Sequence, residues 1–290
     1  MTTTTATSPL GRPVSYGATF LFFLITFAAL VGVPAFAYFY DYTWIDWTMF
    51  ALLYVITGLG ITVGYHRLIS HRSFVCLNWI KAGILVVGGW ALQNSALKWA
   101  GDHLRHHAHC DDEADPYNAQ RGFWYSHCGW IFLKDPSSNM KYVARLQQDR
   151  VVVWQDRFYV PIVLSGLALP FLVGLLTNGW MGGMGCSLLA GVSRTFWVLN
   201  STFCINSICH LWGSQPHGQS NSSRNSWWVS FFTFGEGFHN YHHTYPSDYR
   251  NGPRWYNFDP SKWLIFSLFV LGFATCLHRS SSTSVDSRAS

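Results

Sequence analysis

Four long apolar segments, separated by polar ones, dominate the pattern of the chain. Each is long enough for a helix that crosses the ~30 Å hydrocarbon layer of a bilayer. They extend over about residues 18–40, 47–65, 159–176 and 183–205. The connections within each pair, residues 41–46 and 177–182, are short. The pattern therefore predicts an all-α integral membrane protein with four transmembrane helices in two hairpins.

Basic residues avoid both hairpin turns. Of the 19 Lys and Arg, most lie between Tyr65 and Arg157 or after Ile205, and Arg194 alone lies inside a predicted span. Under the positive-inside rule, both termini and both long polar segments face the cytoplasm. We therefore predict a single membrane domain, residues 17–278, with a cytoplasmic helical cap. That cap consists of residues 66–158 and 206–278.

Two shorter apolar runs, residues 82–92 and 264–277, have the length of interfacial or core helices rather than spans. If residues 82–92 crossed the bilayer, His66 and His71 would lie on the opposite side from His103, and no common site would form. We therefore place both runs in or just under the cytoplasmic face of the membrane. The polar ends, residues 1–16 and 279–290, are predicted to be disordered tails.

The composition fits a membrane protein and excludes several other classes. Of the 290 residues, 49% are hydrophobic and only 11% are charged, against about a quarter charged in soluble domains. The formal net charge is +5, but the basic residues are dispersed, so no nucleic-acid partner is expected. The seven cysteines form no CxxC pair, which predicts reduced, packed thiols that face the cytosol.

Histidines form the candidate chemistry. The pattern HxxHH occurs twice, and its spacing places three imidazoles on one face of a helix. A third pair ends the second span with i, i+5 spacing, about 140° apart on an α-helix, so a helix end, a local distortion or two separate metals is required. The nine candidate ligands are His66, His71, His103, His106, His107, His210, His239, His242 and His243, with Asn206 one turn before His210.

The number of ligands predicts two metal ions rather than one. Zinc takes about four ligands and iron or manganese about six. Nitrogen ligands with open positions suit iron that binds oxygen, but zinc, copper or nickel also accepts them. The remaining histidines, His109, His127, His217 and His278, are interpreted as surface or hydrogen-bonded residues.

The motifs HRLISH, HLRHH and HNYHH resemble the three histidine boxes of the membrane fatty acid desaturases. Their flanks, which include GITVGYHRLISHRSF, NSICHLWG and FGEGFHNYHHTYPSDYRNG, are similar to the stearoyl-CoA (Δ9) type. The resemblance extends over about residues 50–263.

The resemblance implies a di-iron centre held by the nine histidines, with Asn206 reaching one iron through water. Two Fe²⁺ ions would use O₂ as co-substrate and electrons from an external donor protein of the cytochrome b5 or ferredoxin type. The implied reaction places a cis double bond at Δ9 of a C16–C18 acyl chain, with acyl-CoA favoured as the substrate.

The resemblance also implies a bent acyl tunnel. Its kink is lined by Gln93, Trp99, Thr202 and Phe203, its closed end falls at Tyr54 and Gly58, and its head-group end meets Asn94, Asp102 and Lys134. Two basic positions of the animal enzymes read Gly101 and Asp135 here. Their loss weakens the electrostatic case for CoA, so an acyl-carrier-protein thioester or a membrane lipid ester remains an alternative.

Carboxylates that accept the second N–H of a ligating imidazole are expected near the site. The candidates are Asp102, Asp111, Asp112, Glu113, Asp115, Glu236 and Asp248. A solvated acidic loop is the alternative interpretation of residues 111–115.

Two other functions fit parts of the pattern. A fatty acid hydroxylase of the same histidine-box superfamily would share the metal chemistry. A metal-binding or transport protein would need ligands near the middle of the bilayer, whereas these histidines lie at span ends and in cytoplasmic segments.

Overall fold

The computed structural model describes residues 12–135 and 140–280, which are mostly helical, as predicted. The helices are α1 (Tyr16–Ala37), α2 (Trp44–Ser70), α3 (Asn78–Gly89), α4 (Ala96–His109), α5 (Phe123–His127), α6 (Met140–Val143), α7 (Arg150–Arg157), α8 (Tyr159–Leu211), α9 (Trp227–Phe232), α10 (His239–Thr244) and α11 (Pro260–Val270). Short 3₁₀ turns cover Ala119–Arg121, Gly129–Phe132 and Leu146–Gln148. Two short strands, β1 (Val75–Cys76) and β2 (Ala274–Thr275), pair antiparallel.

Among the described residues, three helices, α1, α2 and α8, are long and apolar enough to cross a membrane. In α8 the backbone leaves the helical conformation at Asn178 and Gly179, and Gly179 has a φ of 66°, which glycine adopts without steric cost. Gly174, before this point, and Gly182, after it, pack backbone against backbone. The chain therefore reverses, and α8 consists of two antiparallel arms, residues 159–177 and 180–211.

The two uncharged turns lie side by side. Thr43 begins α2, and its backbone N–H donates to Asp46 Oδ2 at 2.7 Å, which caps the helix. The side-chain amide of Asn178 donates through Nδ2 to Thr43 Oγ1 at 3.3 Å. The turn before α2 and the turn within α8 are thus at the same end of the molecule, as two hairpins of one orientation require.

The end of α2, Gly60–Ser70, is a π-helix. In this geometry the amide of residue i+5 bonds the carbonyl of residue i, and the His71 amide donates to the His66 carbonyl at 3.1 Å. Residues with i, i+5 spacing therefore lie on one face, and the ring centroids of His66 and His71 are 4.9 Å apart. This is the local distortion that their spacing requires.

Backbone contact between α2 and α3 holds this π-helix in place. A Cβ added to Gly60 would lie 2.5 Å from the Gly88 amide nitrogen. Helix α3 has 12 residues, about 18 Å of rise, which is too short to cross the hydrocarbon layer. The second run that was predicted to be interfacial, residues 264–277, is helical only to Val270 and continues into β2.

The inner ends of both predicted tails form hydrogen bonds. Val14 pairs with Leu133, and the Lys134 amide donates to the Pro13 carbonyl at 2.8 Å, because extended backbone here satisfies backbone groups of residues 132–134. At the other end the Ser280 amide donates to Asp248 Oδ2 at 2.9 Å. Residues 1–11 and 281–290, the rest of the predicted tails, lie outside the described residues.

The close approach of α2 and α3 predicts the effect of a single methyl group. Gly60→Ala should lower the stability of the protein by about 1–3 kcal/mol, because the added carbon meets backbone that no rotamer change can move. The apparent melting temperature in detergent measures this. Gly83→Ala is the matched control, since nothing lies within 4 Å of the added carbon. Equal melting temperatures for the two variants would contradict the prediction.

Candidate metal centre

The structure brings all nine predicted histidines together in two groups. The ligand atoms of the first group all lie within 4.8 Å of one another. That group consists of His66, His71, His103, His107 and His242. The second consists of His106, His210 and His243, and His239 joins it because its Nε2 lies 3.0 Å from that of His210 and 3.1 Å from that of His243.

Four separate elements supply these side chains. The π-helical end of α2 provides His66, the residue that follows this helix is His71, and the last turn of α8 provides His210. Helices α4 and α10 each present one face of three imidazoles, as the HxxHH spacing predicted. Helix α10 has only six residues, and Asn225 Oδ1 accepts hydrogen bonds from its first amides, those of Asn240 and Tyr241, at 2.9 and 3.2 Å.

Two carboxylates orient the imidazoles toward the centre. His66 Nδ1 donates to Glu236 Oε2 at 2.8 Å, and His106 Nδ1 donates to Asp115 Oδ1 at 2.9 Å. When Nδ1 carries the proton, the Nε2 atom of a neutral imidazole presents a lone pair. A bound carboxylate also makes the imidazole a stronger ligand.

The donor set fits metal ions. His66 Nε2 lies 2.9 Å from His242 Nε2, which in turn lies 2.9 Å from His107 Nε2. Burial, and then the neighbouring imidazoles, hold the pKa of His103, His107 and His242 well below the ordinary value, so these rings are neutral. His242 Nε2 can carry at most one proton, so it can donate to only one of the two nitrogens beside it. A cation among these nitrogens removes the remaining repulsion between lone pairs, and neutral imidazole is the form that binds metal.

The two carboxylates remain ionised although they are buried. Burial raises the pKa of Glu236, but His66 and Arg67 outweigh it and lower that pKa below its usual range. Burial likewise raises the pKa of Asp115, and His106 outweighs it. Arg67 is 1% exposed and donates to Glu236 Oε1, so one carboxylate links the guanidinium to a candidate metal ligand.

A third acidic residue acts through a serine. His210 Nδ1 lies 2.8 Å from Ser222 Oγ, which donates to Asp111 Oδ1 at 2.5 Å. The other carboxylate candidates have different surroundings. Asp248 accepts from Tyr241, Glu113 pairs with Arg121, the Asp112 carbonyl accepts from Asn118, and Asp102 lines a cavity.

Cys110 also belongs to the second group. Its sulfur lies within 4.8 Å of the ligand atoms of His106, His210 and His243. Its position four residues after His106, on the same helical face, was the signal for it in the sequence. Burial, and then the Asp111 carboxylate, raise the pKa of the thiol, so the neutral sulfur is a weaker ligand than the imidazoles.

Two cavities meet beside the histidines. The larger, about 650 Å³, is lined by Asn94, Asp102, Lys134, Gln93 and Phe203. The smaller, about 50 Å³, extends past the metal centre to Tyr54 and Gly58. The residues that line both are Trp99, His103, Thr202 and Asn206.

Hydrogen bonds fix the junction of the cavities. The Gln93 amide donates to Thr202 Oγ1 at 2.8 Å, and Trp99 Nε1 donates to Gln93 Oε1 at 3.2 Å. The polar atoms of this wall are therefore satisfied by one another. The surface that remains beside His103 is apolar and suits an extended apolar ligand.

Tyr54, Gly58 and Phe234 line the smaller cavity. Tyr54 donates to the Phe232 carbonyl at 2.9 Å, and its oxygen lies 2.8 Å from Ser201 Oγ. The ring of Phe234 packs directly on Gly58, with Phe234 itself at a left-handed φ of 53°. Asp135, which lines the larger cavity, pairs with Arg105.

The histidines outside the two groups have other partners. His109 Nε2 lies 2.8 Å from the Tyr142 hydroxyl, and His127 Nδ1 lies 3.0 Å from Ser207 Oγ. The ring of His217 packs against Tyr241. The His278 amide donates to the Ser73 carbonyl.

Comparison with known proteins gives consistent matches. Residues 42–270 match the family described as fatty acid desaturase. The chain is 42% identical over 232 residues to a probable acyl-CoA desaturase of Schizosaccharomyces pombe, which covers 78% of this chain and 48% of that protein. It is 32% identical over 279 residues to the sn-1 stearoyl-lipid 9-desaturase of Anabaena variabilis, 95% of this chain and 97% of that protein. It is 35% identical over 249 residues to stearoyl-CoA desaturase 5 of Bos taurus, 83% and 73% of the two chains. The chain thus spans about half the length of the Schizosaccharomyces protein.

Replacement of either carboxylate is predicted to lower the affinity of the protein for metal. Glu236→Gln should weaken metal binding by about ten- to a hundredfold, because the amide no longer holds His66 with a negative charge. Metal content of the purified protein, measured during titration with a chelator, reports this. Asp115→Asn should weaken metal binding by the second histidine group in the same way, because Asp115 accepts from His106.

Glu113→Gln is the control for both variants, because Glu113 pairs with Arg121 away from the histidines. Retention of metal by Glu236→Gln and Asp115→Asn at the level of this control would show that the carboxylates do not support the site.

Proposed function

The chain belongs to the fatty acid desaturase family, and we propose that it is an oxygen-dependent acyl desaturase that places a cis double bond at Δ9 of a C16–C18 saturated chain. The observation that carries this proposal is the junction of the two cavities. There the imidazole of His103 faces the same space as Trp99 and Thr202. A chain that follows both cavities would pass the metal centre at one fixed position along its length.

We assign two Fe²⁺ ions to the two histidine groups, with Asn206 reaching one of them through water. When bound, the ions would supply the reduction of O₂, with electrons from a separate donor protein of the cytochrome b5 or ferredoxin type. Zinc, which nitrogen ligands also suit, undergoes no redox change and could not supply this chemistry.

The protein's own contribution is to position the acyl chain and to exclude water. The methylenes of a saturated chain are chemically alike, so geometry has to select two of them. The junction wall provides that geometry, since Gln93 holds Thr202 and Trp99 in one arrangement. Tyr54 and Phe234 close the far end, which limits how far the chain can enter.

We propose a topology of four spans with both termini, the cap and the metal centre on the cytoplasmic side. The reversal of α8 at Gly179 and the adjacent position of the two uncharged turns support two hairpins of one orientation. The basic residues of the long segments favour the cytoplasmic side for the cap. Exposed apolar side chains such as Phe20 and Leu164, 69% and 58% exposed, would face lipid.

Acyl-CoA is the favoured substrate, and an acyl-lipid is the second candidate. Lys134, Lys98 and Arg12 line the larger cavity and suit a phosphate-bearing head group. The pairing of Asp135 with Arg105 reduces the positive charge available there, which favours a lipid ester. An acyl-carrier-protein thioester is a further possibility for the same cavity.

The decisive test is expression in a desaturase-deficient host, with the double bond located by mass spectrometry. A Δ9 alkene is expected. An oxygenated chain without an alkene would instead identify a hydroxylase, and metal uptake without either product would indicate transport. Purified protein in liposomes, supplied with acyl-CoA or with acyl-lipid, separates the two substrates.

His106→Ala and His242→Ala should abolish this activity while the protein remains inserted in the membrane. Each removes a ligand from one histidine group. His109→Ala, in the same sequence motif but bonded to Tyr142, is the control and should keep activity. Turnover at the wild-type rate by either ligand variant would remove the metal assignment.

The closed end of the cavity predicts chain-length selection. Gly58→Ala should shift products from C18 toward C16, because the new methyl group displaces the Phe234 ring into the space for the end of the chain. The C16 to C18 product ratio from an equimolar substrate mixture measures this. Gly83→Ala, with no neighbour within 4 Å, should leave the ratio unchanged. An unchanged or reversed ratio for Gly58→Ala would show that Phe234 does not limit the chain.

A further inference from the structure

Arg194 is a buried charge that neither histidine group uses. It is the middle residue of the predicted span 183–205, it is 0% exposed, and it forms no ion pair with any residue in 12–135 or 140–280. A charge at this depth of a bilayer is costly, and such residues usually serve function.

Among the described residues, the hydrogen-bond partners of the Arg194 guanidinium are two backbone carbonyls. Nη1 donates to the Trp90 carbonyl at 2.7 Å, and Nε donates to the Ala190 carbonyl one turn earlier at 3.3 Å. Nη2 has no hydrogen-bond partner in the described part of the chain. Trp90 follows the last residue of α3, where helix carbonyls lack partners and the helix dipole favours a cation.

The Trp90 carbonyl begins the turn that carries Gln93 to the cavity junction. In this turn Leu92 and Asn94 have left-handed φ values of 59° and 70°, which non-glycine residues adopt only when their surroundings enforce it. The far side of the turn is held by the Tyr159 hydroxyl, which accepts from the Asn94 amide at 3.0 Å.

The second arm of α8 therefore grips this turn at two points. Arg194 holds its start at Trp90, and Thr202, two turns further along the same helix, accepts from Gln93. These two contacts fix the position of Gln93 relative to one rigid helix. The last turn of that helix carries His210, a candidate metal ligand. The contacts therefore fix the distance between the junction wall and the metal centre.

We infer that Arg194 is a positioning residue for the double bond: by fixing the Trp90–Ser95 turn to α8, it sets which carbons of the acyl chain lie beside the metal centre. The inference rests on the proposed function. Without the guanidinium the Trp90 carbonyl loses its bond to the second arm of α8, and Gln93 is left as the hydrogen-bonded contact described between the turn and that arm. The bonds of Trp90 to Ser165, of Asn94 to Tyr159 and of Ser95 to Asp156 join the turn to other segments. The junction wall then moves, and the chain binds in more than one register.

The test compares wild type with Arg194→Met, which removes the donors, and Arg194→Lys, which keeps the charge and one donor group. Thr195→Val is the matched control, since Thr195 is buried on the same helix and its hydroxyl donates to the Gly191 carbonyl within that helix. Turnover, KM and double-bond position are measured in liposomes. Hydrogen exchange of amides 91–95 is measured separately, without substrate.

Arg194→Met should lower kcat by about ten- to a hundredfold with KM within about twofold, produce alkenes at neighbouring positions, and speed exchange of amides 91–95. Arg194→Lys should be intermediate and Thr195→Val should match wild type. A single wild-type isomer at the wild-type rate from Arg194→Met, or unchanged exchange at 91–95, would overturn the inference.

Two further outcomes are distinguishable. If Arg194→Met does not insert, Arg194→Lys decides, because a single isomer together with unchanged exchange would overturn the inference. If wild type makes no alkene, the proposed function fails, and the exchange of amides 91–95 still decides whether Arg194 holds the turn.

Discussion

The structure depends on the convergence of nine imidazoles whose Nε2 atoms face one another at 2.7–3.3 Å. Lone pairs at these distances repel wherever neither a proton nor a metal ion lies between them, so the rings have to be held from behind. Glu236, Asp115 and the Ser222–Asp111 pair hold three of them through Nδ1. Burial of such a polar cluster is tolerable only where most of its atoms have partners, and the helices around it are arranged to supply them.

The ion pairs around Arg67 connect this centre to the rest of the cap. Arg67 donates to Glu236 and to Asp259, while the Lys262 ammonium donates to the Gly252 carbonyl at 2.7 Å. Removal of one partner would leave an uncompensated buried charge, which costs more than the pair contributes. The segment after α10 is thereby fixed to the π-helical end of α2. Helix α10 is too short to be stable alone. It lies in the sequence between Glu236 and Asp259, the two residues that pair with Arg67.

The sequence was sufficient where spacing along one helix decides the geometry. The faces of α4 and α10 follow from HxxHH, and the reversal at Gly179 follows from the polar, glycine-rich turn. For His66 and His71 the sequence left three arrangements open and could not choose among them. The π-helix that decides depends on the contact of Gly60 with Gly88, a contact between residues distant in sequence. Ser222 gave no signal at all, since it comes from a polar loop without periodicity. Pairing of residues 13–15 with 132–134 was missed for the same reason.

Backbone strain in this protein is concentrated around the candidate site. Of the six non-glycine residues with left-handed φ in the described part of the chain, five lie beside it. These are Arg72, Leu92, Asn94, Asp111 and Phe234. Each position costs of order 1–3 kcal/mol and persists only where neighbouring contacts enforce it. Arg72 follows His71, Leu92 and Asn94 flank Gln93, and Asp111 follows Cys110 and carries the bond to Ser222. Because the strained residues adjoin the side chains that meet the cavity, relaxation of the backbone would move the cavity wall. The hydrogen bonds that prevent it, those of Arg194 and Tyr159 among them, therefore determine the shape of the site although they do not line its centre.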